Sequence, residues 1–347
     1  MIDHATIPAP NLETHPRVSV LMCAYNAEPY LADAVRAVLG QTMSDFELII
    51  IDDGSTDTSA TTLDRFDDSR IRRFHQNNQG KPAAMNRAID EARGEYLAVQ
   101  DADDLCHPER LVRQMAYLEA HPRCAAVFCG HHLIINGRVT APRCRAKSAT
   151  ACHEDVKAFR MPAHDPTVMY RAAMLGGQRY EPTLPLGEGH DYILRLGERH
   201  DLAVIGECLY GYRITLESIT KRDPHLRQAC VRRVLQRACN RRGLDLEALF
   251  PPHWFEVDEH DRRSHDNNLI AHFIESVDDQ RHRGAWAAAT RTAIRCARLH
   301  PLDFRYYRPL VQALAPTSLI AEARRARDRH RERQRVRHAV PTAEAGS

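Results

Sequence analysis

Several features are missing from this sequence of 347 residues, and each absence argues against a class of protein. None of its ten cysteines forms a Cys-x-x-Cys pair, so neither a disulfide framework nor a zinc knuckle is indicated, and a reducing cytoplasm is expected. There is no apolar run of about 18 residues and no apolar segment near the start, so neither a transmembrane helix nor a signal peptide is expected. The 48 Lys and Arg nearly balance the 46 Asp and Glu, which argues against nucleic-acid binding through bulk charge.

Two common nucleotide-binding loops are also missing. The segment from Cys23 to Tyr30, which follows the first predicted strand, contains no glycine, whereas a sugar nucleotidyltransferase is expected to carry a glycine-rich basic loop there. The pair Gly187 and Gly189 is not followed by a third glycine and does not come after the first strand. A dinucleotide-binding fingerprint is therefore not indicated.

Residues 17–130 alternate between apolar strands and amphipathic helices. The predicted strands are 18–22, 47–51, 71–74, 96–100 and 125–129. The predicted helices are 29–39, a helix capped by Asp57 that runs through Phe66, 82–93 and 108–121. The third of them stops at Gly94, its C-terminal cap. Strands that alternate with helices of this length predict an α/β fold with a mostly parallel, Rossmann-like sheet.

The pattern changes after residue 130. Residues 131–180 read as short strands and loops, 188–199 as a convincing helix, and 202–205 and 208–214 as strands. Residues 131–222 are expected to form the acceptor-binding half of the domain, after the nucleotide-sugar-binding half at 17–130, and residues 223–347 read as a helical C-terminal region. Residues 1–16 form an N-terminal extension. Residues 324–338 are dense in arginine, which favours a solvated or frayed helix over contact with an anionic membrane surface or an acidic partner.

Acidic residues follow two of the predicted strands. Asp52 and Asp53 end one strand, and the run Asp101-Ala102-Asp103-Asp104 follows another. In open α/β sheets, ligands bind in the crevice beyond the carboxyl ends of the strands. Carboxylates placed there are suitable ligands for a hard divalent cation, so the sequence predicts a metal, together with a phosphate, at this edge.

These segments together resemble a known family. In chain order they are 18–26, 52–57, 78–81 with 84–86, 94–96 and 101–104, with Gln41-Thr42 and Asp45-Phe46-Glu47 between them. In this order they resemble the family 2 glycosyltransferases of GT-A fold, over about residues 17–220. The resemblance implies an inverting enzyme that uses a nucleotide sugar.

For the donor site, the resemblance implies that Ala24 and Tyr25 line the nucleoside pocket and that Asp53 contacts the nucleobase. Lys81 and Asn86 would border the nucleotide. From the residues alone, Tyr25 could instead plug the sheet edge, Asp53 could cap the next helix, and Lys81 could be a solvated lysine.

The acidic run carries the remaining donor contacts that the resemblance implies. Asp101 would approach the ribose with Ala102 beside it, and Asp103 would coordinate the divalent metal. Oxygen ligands favour Mn²⁺ or Mg²⁺ over metals that prefer thiolates.

The family takes its base from a Glu-Asp pair at the start of a later helix. Glu188 falls on the glutamate, but Gly189 stands where the aspartate is expected. Asp191 shares a helix face with Glu188 and is the preferred candidate, with Glu188 the second and His190 the third. Alternatively, both acids are simply charges at a helix N-terminus.

The resemblance therefore implies a cytoplasmic, metal-dependent glycosyltransferase that uses a nucleotide sugar, with a UDP-sugar preferred. Its acceptor would be a glycan, a lipid-linked sugar or a small molecule, by default in bacterial envelope polysaccharide synthesis. Peripheral membrane contact and a homodimer are further expectations. A GT-A domain that binds nucleotide sugars or glycans without turnover is the main alternative, and a sugar nucleotidyltransferase is a weaker one.

Overall fold

The computed structural model describes residues 15–135, 138–139, 145–214, 223–256, 286–299 and 303–314, with isolated positions 270, 273, 274, 277 and 281. The chain divides into two compact units, Met1–Val257 and Asp258–Ser347, so the predicted boundary at residue 223 lies inside the first unit. The arginine-rich tail and nearly all of the N-terminal extension lie outside the described residues. No described helix combines the length and apolarity needed to cross a membrane.

The first half of the sheet follows the predicted alternation. Its elements are β1 (Val18–Ala24), α1 (Glu28–Leu39), β2 (Phe46–Asp52), α2 (Ser59–Leu63), β3 (Ile71–His75), α3 (Lys81–Glu91) and β4 (Tyr96–Val99). Strands β3, β2, β1 and β4 lie side by side and are parallel, so their carboxyl ends meet at one edge. Strands β1, β2 and β4 are almost entirely buried because helices cover the sheet, whereas the edge strand β3 is partly exposed.

The sequence predicted Gly94 as the C-terminal cap of α3, but Gly94 does not cap this helix. The helix ends at Glu91, and its C-cap residue is Ala92, which has an extended backbone. Gly94 instead lies against β1, where an added Cβ would stand 2.5 Å from the backbone nitrogen of Ser19. The Gly94 N–H donates to the Ser19 hydroxyl over 2.8 Å, so glycine here permits close packing of the β4 entrance on β1.

The second half of the sheet is mixed. Its elements are β5 (Leu105–Cys106), α4 (Arg110–Ala120), β6 (Cys124–Ile135), β7 (Arg138–Val139), α5 (Ala149–Lys157), β8 (Val168–Arg171), α6 (Glu188–Gly197) and β9 (Asp201–Ile214). The strand order is β3-β2-β1-β4-β8-β6-β9-β5, with β7 paired to β6. The predicted α/β class is confirmed. Strands β6 and β9 are parallel to each other, whereas β5, β7 and β8 run antiparallel to their neighbours.

The reversed direction of β8 has a consequence for the site. Strand β8 is antiparallel to β4, with Met169 opposite Ala98. The short 3-10 turn Asp165–Thr167 precedes β8 and therefore lies beyond the carboxyl end of β4. A segment from the second half of the chain thus reaches the edge where the first four strands end.

Apolar residues cover both faces of the sheet. One core cluster contains Ile49, Ile51 and Phe128, and the other contains Val20, Leu31 and Leu48. Helix α7 (Pro224–Arg242) belongs to the first cluster through Val234 and Ala238, and the short α8 (Leu246–Leu249) follows it.

The second unit contains α9 (Trp286–Leu299) and α10 (Arg308–Leu314). Its small core includes Val277, Ala289, Ala293 and Ala313.

Candidate active site

The predicted nucleoside residues lie at the carboxyl edge of the sheet. Ala24 is buried at the end of β1, and its carbonyl accepts the Asp53 N–H over 2.9 Å. The Tyr25 side chain is 50% exposed, so it does not plug the sheet edge, and its ring is free to cover a ligand.

Asp53 organises the loop that follows β3. Its Oδ1 accepts hydrogen bonds from the Gln76 side chain and the Gln79 N–H, at 2.8 and 3.0 Å, and its Oδ2 accepts from the Gly80 N–H at 2.8 Å. Asp53 is only 3% exposed. With both oxygens engaged by the protein, Asp53 shapes this loop, and any nucleobase contact would have to share those oxygens.

Lys81 is the first residue of α3 and links two carboxylates. Its Nζ lies 2.8 Å from Asp101 Oδ1 and 3.8 Å from Glu188 Oε1. Burial by itself lowers the pKa of Lys81, but Asp101, Glu188 and Asp165 outweigh it and hold that pKa well above its usual value. The lysine is therefore a charged bridge between the two carboxylates, with 37% of its side chain exposed.

Asn86 lies on the same helix but serves a structural purpose. Its side chain donates to the Tyr180 carbonyl over 2.9 Å and accepts the Tyr180 N–H over 2.7 Å. These two hydrogen bonds hold α3 to the segment before α6. Asn86 therefore stabilises the packing of the elements that carry the site.

The acidic run after β4 forms a loop held by β9. Asp104 is fully buried; it accepts the Tyr210 hydroxyl at 2.8 Å and the Arg213 N–H at 2.7 Å. The Asp101 N–H donates to the same Tyr210 hydroxyl, and Arg213 Nε donates to the Asp103 carbonyl over 2.7 Å. Ala102 is 5% exposed and packs into the core beneath the loop. We call residues 101–104 the acid loop.

The acid loop fits a divalent cation. Carboxylate oxygens of Asp101, Asp103 and Asp104 lie within 4.8 Å of one another. Burial and the neighbouring charge of Asp101 raise the pKa of Asp103 to about 6. A cation would relieve this repulsion, and since Asp104 is engaged by β9 and Asp101 by Lys81, Asp103 is the carboxylate best placed to bind it.

Arg110, at the start of α4, ties the two halves of the site together. Its guanidinium is buried and donates to the carbonyls of Val99 (2.8 Å), Pro166 (3.0 Å) and Val168 (3.2 Å). The end of β4 and the turn before β8 are therefore fixed relative to each other. Sequence reasoning missed Arg110, because a lone arginine in an amphipathic helix carries no signal of burial.

The start of α6 separates the two predicted catalytic acids. Glu188 faces Lys81, and burial raises its pKa. Asp191 is fully buried and faces three arginines, with Nε of Arg195 at 2.8 Å, Nε of Arg237 at 3.1 Å and Nη1 of Arg241 at 3.4 Å.

These contacts argue against the sequence-based preference for Asp191 as the base. Asp191 joins α6 to α7, and its oxygens are engaged by cations. His190, the third candidate, has its Nε2 2.9 Å from the Phe159 carbonyl.

The structure adds Asp165, which the sequence had not singled out. Its carboxylate lies against the backbone of Gly189, and it shares the electrostatic environment of Lys81, Glu188 and Asp101. The only sequence signal was indirect: Gly189 stands where the family resemblance leads one to expect an acid.

Sequence comparison with known proteins finds glycosyltransferases. Residues 19–160 match the family described as Glycosyl transferase family 2. An uncharacterized glycosyltransferase of Methanocaldococcus jannaschii is 28% identical over 57% of this chain and 71% of its own length. Glycosyltransferase GlyG of Streptococcus pneumoniae is 37% identical over 33% of this chain and 38% of its own length.

Solved structures agree on the fold. S. aureus TarS 1-349 in complex with UDP-GlcNAc has a TM-score of 0.57 at 18% identity, covering 84% of this chain and 89% of that one. Mannosyltransferase PcManGT from Pyrobaculum calidifontis, in complex with GDP-Man and Mn²⁺, has a TM-score of 0.50 at 17% identity, covering 88% of each chain. Residues 19–160 therefore match the family 2 glycosyltransferases, and the chain has the GT-A-like fold of these neighbours.

Proposed function

We propose that this protein is a metal-dependent, inverting glycosyltransferase that moves a sugar from a nucleotide sugar to an acceptor hydroxyl. The observation that carries the proposal is the arrangement of Lys81 between Asp101 and Glu188, beside Asp103, at the carboxyl edge of the sheet. This edge is where open α/β sheets bind ligands.

The donor site would use both signs of charge. Lys81 and Arg213 flank the acid loop, and they would face the negative charge of a diphosphate. A UDP-sugar is the preferred donor, which is supported by the UDP-GlcNAc complex of TarS, a protein of the same fold. A GDP-sugar is the competing donor, because PcManGT binds GDP-Man.

Asp103, with help from Asp101, would hold Mn²⁺ or Mg²⁺. When bound, such an ion supplies Lewis-acid stabilisation of the diphosphate leaving group. Lys81 would orient the two carboxylates around the donor, while Tyr25 would cover the nucleoside. The Mn²⁺ of the PcManGT complex supports a metal in this fold.

The acceptor would be a glycan, a lipid-linked sugar or a small molecule, in the synthesis of a bacterial polysaccharide or glycoconjugate. We propose cytoplasmic action with peripheral membrane contact, and a homodimer as the assembled form.

A donor panel tests the proposal. The purified protein is incubated with UDP-glucose, UDP-GlcNAc, GDP-mannose and a dTDP-sugar, each with Mn²⁺ or with EDTA. Thermal stabilisation and nucleoside diphosphate release are then recorded. We expect one nucleotide class to stabilise the protein only with metal and to be hydrolysed slowly. The absence of any response from every donor would contradict the proposal.

A domain that binds nucleotide sugars or glycans without turnover is the second candidate, and Gly189 is the observation that favours it. The same panel separates the two, since such a protein would be stabilised by a donor but would release no nucleoside diphosphate. A nucleotidyltransferase would instead release pyrophosphate from a nucleoside triphosphate and a sugar phosphate.

A further inference from the structure

The carboxylates at this edge differ in whether the protein already engages them. Asp101 pairs with Lys81, Asp104 accepts two hydrogen bonds from β9, and Asp191 faces three arginines. Glu188 lies 3.8 Å from Lys81. Asp165 is different, because its Oδ1 is buried and has no hydrogen-bond partner among the described residues.

An unpartnered carboxylate oxygen in a buried position is costly, so native proteins rarely keep one without a use. Asp165 is nevertheless held firmly. It begins the 3-10 turn before β8, and Arg110 fixes that turn through the carbonyls of Pro166 and Val168. Asp165 as a residue is intermediate between buried and exposed, so a bound ligand can reach it.

Gly189 provides the space in which the Asp165 carboxylate lies. A Cβ added at Gly189 would overlap that carboxylate, with Oδ1 only 2.7 Å away and the other atoms closer. No side chain at position 189 can coexist with Asp165 in this position. Asp165 and Gly189 together therefore place one carboxylate at the N-terminus of α6. This carboxylate comes from the turn before β8.

We propose that Asp165 is the base that accepts the proton of the attacking hydroxyl, an inference that rests on the glycosyl transfer proposed above. The acceptor oxygen bonds to the anomeric carbon as the bond from that carbon to the diphosphate oxygen breaks. The electron pair of the broken bond leaves with the nucleoside diphosphate. The acceptor proton passes to the Asp165 carboxylate, which returns it to solvent after the product leaves.

The electrostatic environment suits this role. Burial raises the pKa of Asp165 to about 7; Lys81 opposes the shift, and Glu188 and Asp101 add to it. A base works best when its pKa is close to the working pH.

Other titratable groups beside Asp165 contribute little charge. Burial lowers the pKa of the neighbouring His164 to about 4, so its ring is neutral at pH 7. Tyr170, Tyr180 and Tyr192 also interact electrostatically with Asp165, and burial raises the pKa of each. Asp165 therefore titrates under the influence of Lys81, Glu188 and Asp101.

The test compares Asp165→Asn with wild type and with Asp90→Asn, an exposed carboxylate paired with Arg179. Water serves as the acceptor, and hydrolysis of UDP-GlcNAc, UDP-glucose and GDP-mannose with Mn²⁺ is followed from pH 5.5 to 9. We expect Asp165→Asn to lower kcat about 100-fold while donor affinity stays within about threefold. The wild-type rate should rise with pH and level off above about 7. The Asp165→Asn profile should lose the rise near pH 7, and Asp90→Asn should behave as wild type.

A reciprocal exchange separates a base from a structural residue. Asp165→Gly should be inactive, and Gly189→Asp alone should be impaired by the overlap. We expect kcat of the double variant Asp165→Gly/Gly189→Asp to be at least about tenfold higher than that of Asp165→Gly. The reason is that a carboxylate at position 189 would then take the place of the one at position 165.

An Asp165→Asn variant with near wild-type kcat, or a double variant with no recovery, would overturn this inference alone. A wild-type protein that binds and hydrolyses no nucleotide sugar would overturn the proposed function as well. Loss of donor binding in Asp165→Asn would show a positioning or folding role and would also overturn it.

Discussion

The acid loop and the junction between Asp165 and Gly189 lie at the same sheet edge but are built differently. In the acid loop, Asp104 is anchored by Tyr210 and Arg213, and Asp101 by Lys81. At the junction, the carboxylate lies against a bare backbone and keeps one oxygen unpartnered.

The difference distinguishes carboxylates that hold a part of the structure in place from carboxylates that are available to react with a substrate. An engaged carboxylate holds a loop in shape but has little capacity left for a substrate proton. An unengaged one costs stability and keeps that capacity. Asp191, held by three arginines, belongs with the first kind although it is on the same helix as Glu188.

The largest effect is expected when the connection between the two regions is removed. Arg110→Met would keep most of the side-chain volume but leave the carbonyls of Val99, Pro166 and Val168 without this donor. We expect a loss of about 4 kcal/mol in the free energy of unfolding, measured in urea. Arg113→Met, on the same helix but half-exposed, should change it by less than about 0.5 kcal/mol. Equal effects of the two changes would contradict the role given to Arg110.

The next effect tests the acid loop as the metal site. Asp103→Asn should lower metal-dependent nucleoside diphosphate release by about 100-fold or more and weaken the response to Mn²⁺. Its melting temperature should not fall, because burial already raises the pKa of Asp103 and makes its charge unfavourable. Asp64→Asn, whose side chain is largely exposed, is the control and should match wild type. An Asp103→Asn variant with unchanged metal dependence would exclude Asp103 as a ligand.

A smaller effect distinguishes Asp191 from a base. Asp191→Asn removes the charge that faces Arg195, Arg237 and Arg241, and we expect a loss of about 3 kcal/mol in stability. The turnover of the molecules that remain folded should stay within about threefold of wild type. Turnover per folded molecule, from activity and circular dichroism at 15 °C, decides this. A fall in turnover as large as that of Asp165→Asn would indicate that Asp191 is the base.

The smallest expected effect is a pH-dependent change in protein stability, which should have opposite signs in two variants. The folded protein holds the proton of Asp165 more tightly than the unfolded chain, because burial raises its pKa from 3.8 to about 7. Wild type should therefore lose stability as pH rises from about 4 to 7. Asp165→Asn should escape that loss and be more stable than wild type at pH 8, by about 1–2 kcal/mol.

Asp155 provides the matched opposite case. Burial alone would raise its pKa, but hydrogen bonds from Lys147 and Arg160 hold that pKa below its usual value. Asp155→Asn should therefore be less stable than wild type at pH 7, and the difference should shrink as pH falls below about 4. Thermal unfolding of both variants from pH 3 to 8 checks the two signs. Parallel curves would contradict the environment assigned to Asp165.

The sequence predicted the first half of the fold well because its signals are local. Alternation of apolar strands with amphipathic helices located β1 to β4, and acidic residues at strand ends located the acid loop. Lys81 was harder to place, since the two carboxylates that hold it come from residues 101 and 188. No local sequence pattern indicates ion pairs between residues that are so far apart in the chain.

The second half resisted prediction for the same reason. The strand β8 runs antiparallel to β4, and this reversal carries Asp165 to the active edge. Gly189 showed that an expected acid was missing, but only the three-dimensional contact shows that another residue fills its place. Asp191 was preferred because it lies near a helix start, and the arginines that engage it come mainly from α7, about 50 residues later.

The attachment of the acid loop to β9 also bears on how the protein folds. Asp104 is separated by 106 residues from Tyr210 and by 109 from Arg213. Contacts between such distant segments form only after a large loss of chain entropy, so they are completed late. During synthesis the acidic motif leaves the ribosome long before the strand that shapes it. A nascent chain that has not reached β9 would thus carry the motif without a formed site, and any metal or nucleotide binding would begin only once that strand has docked.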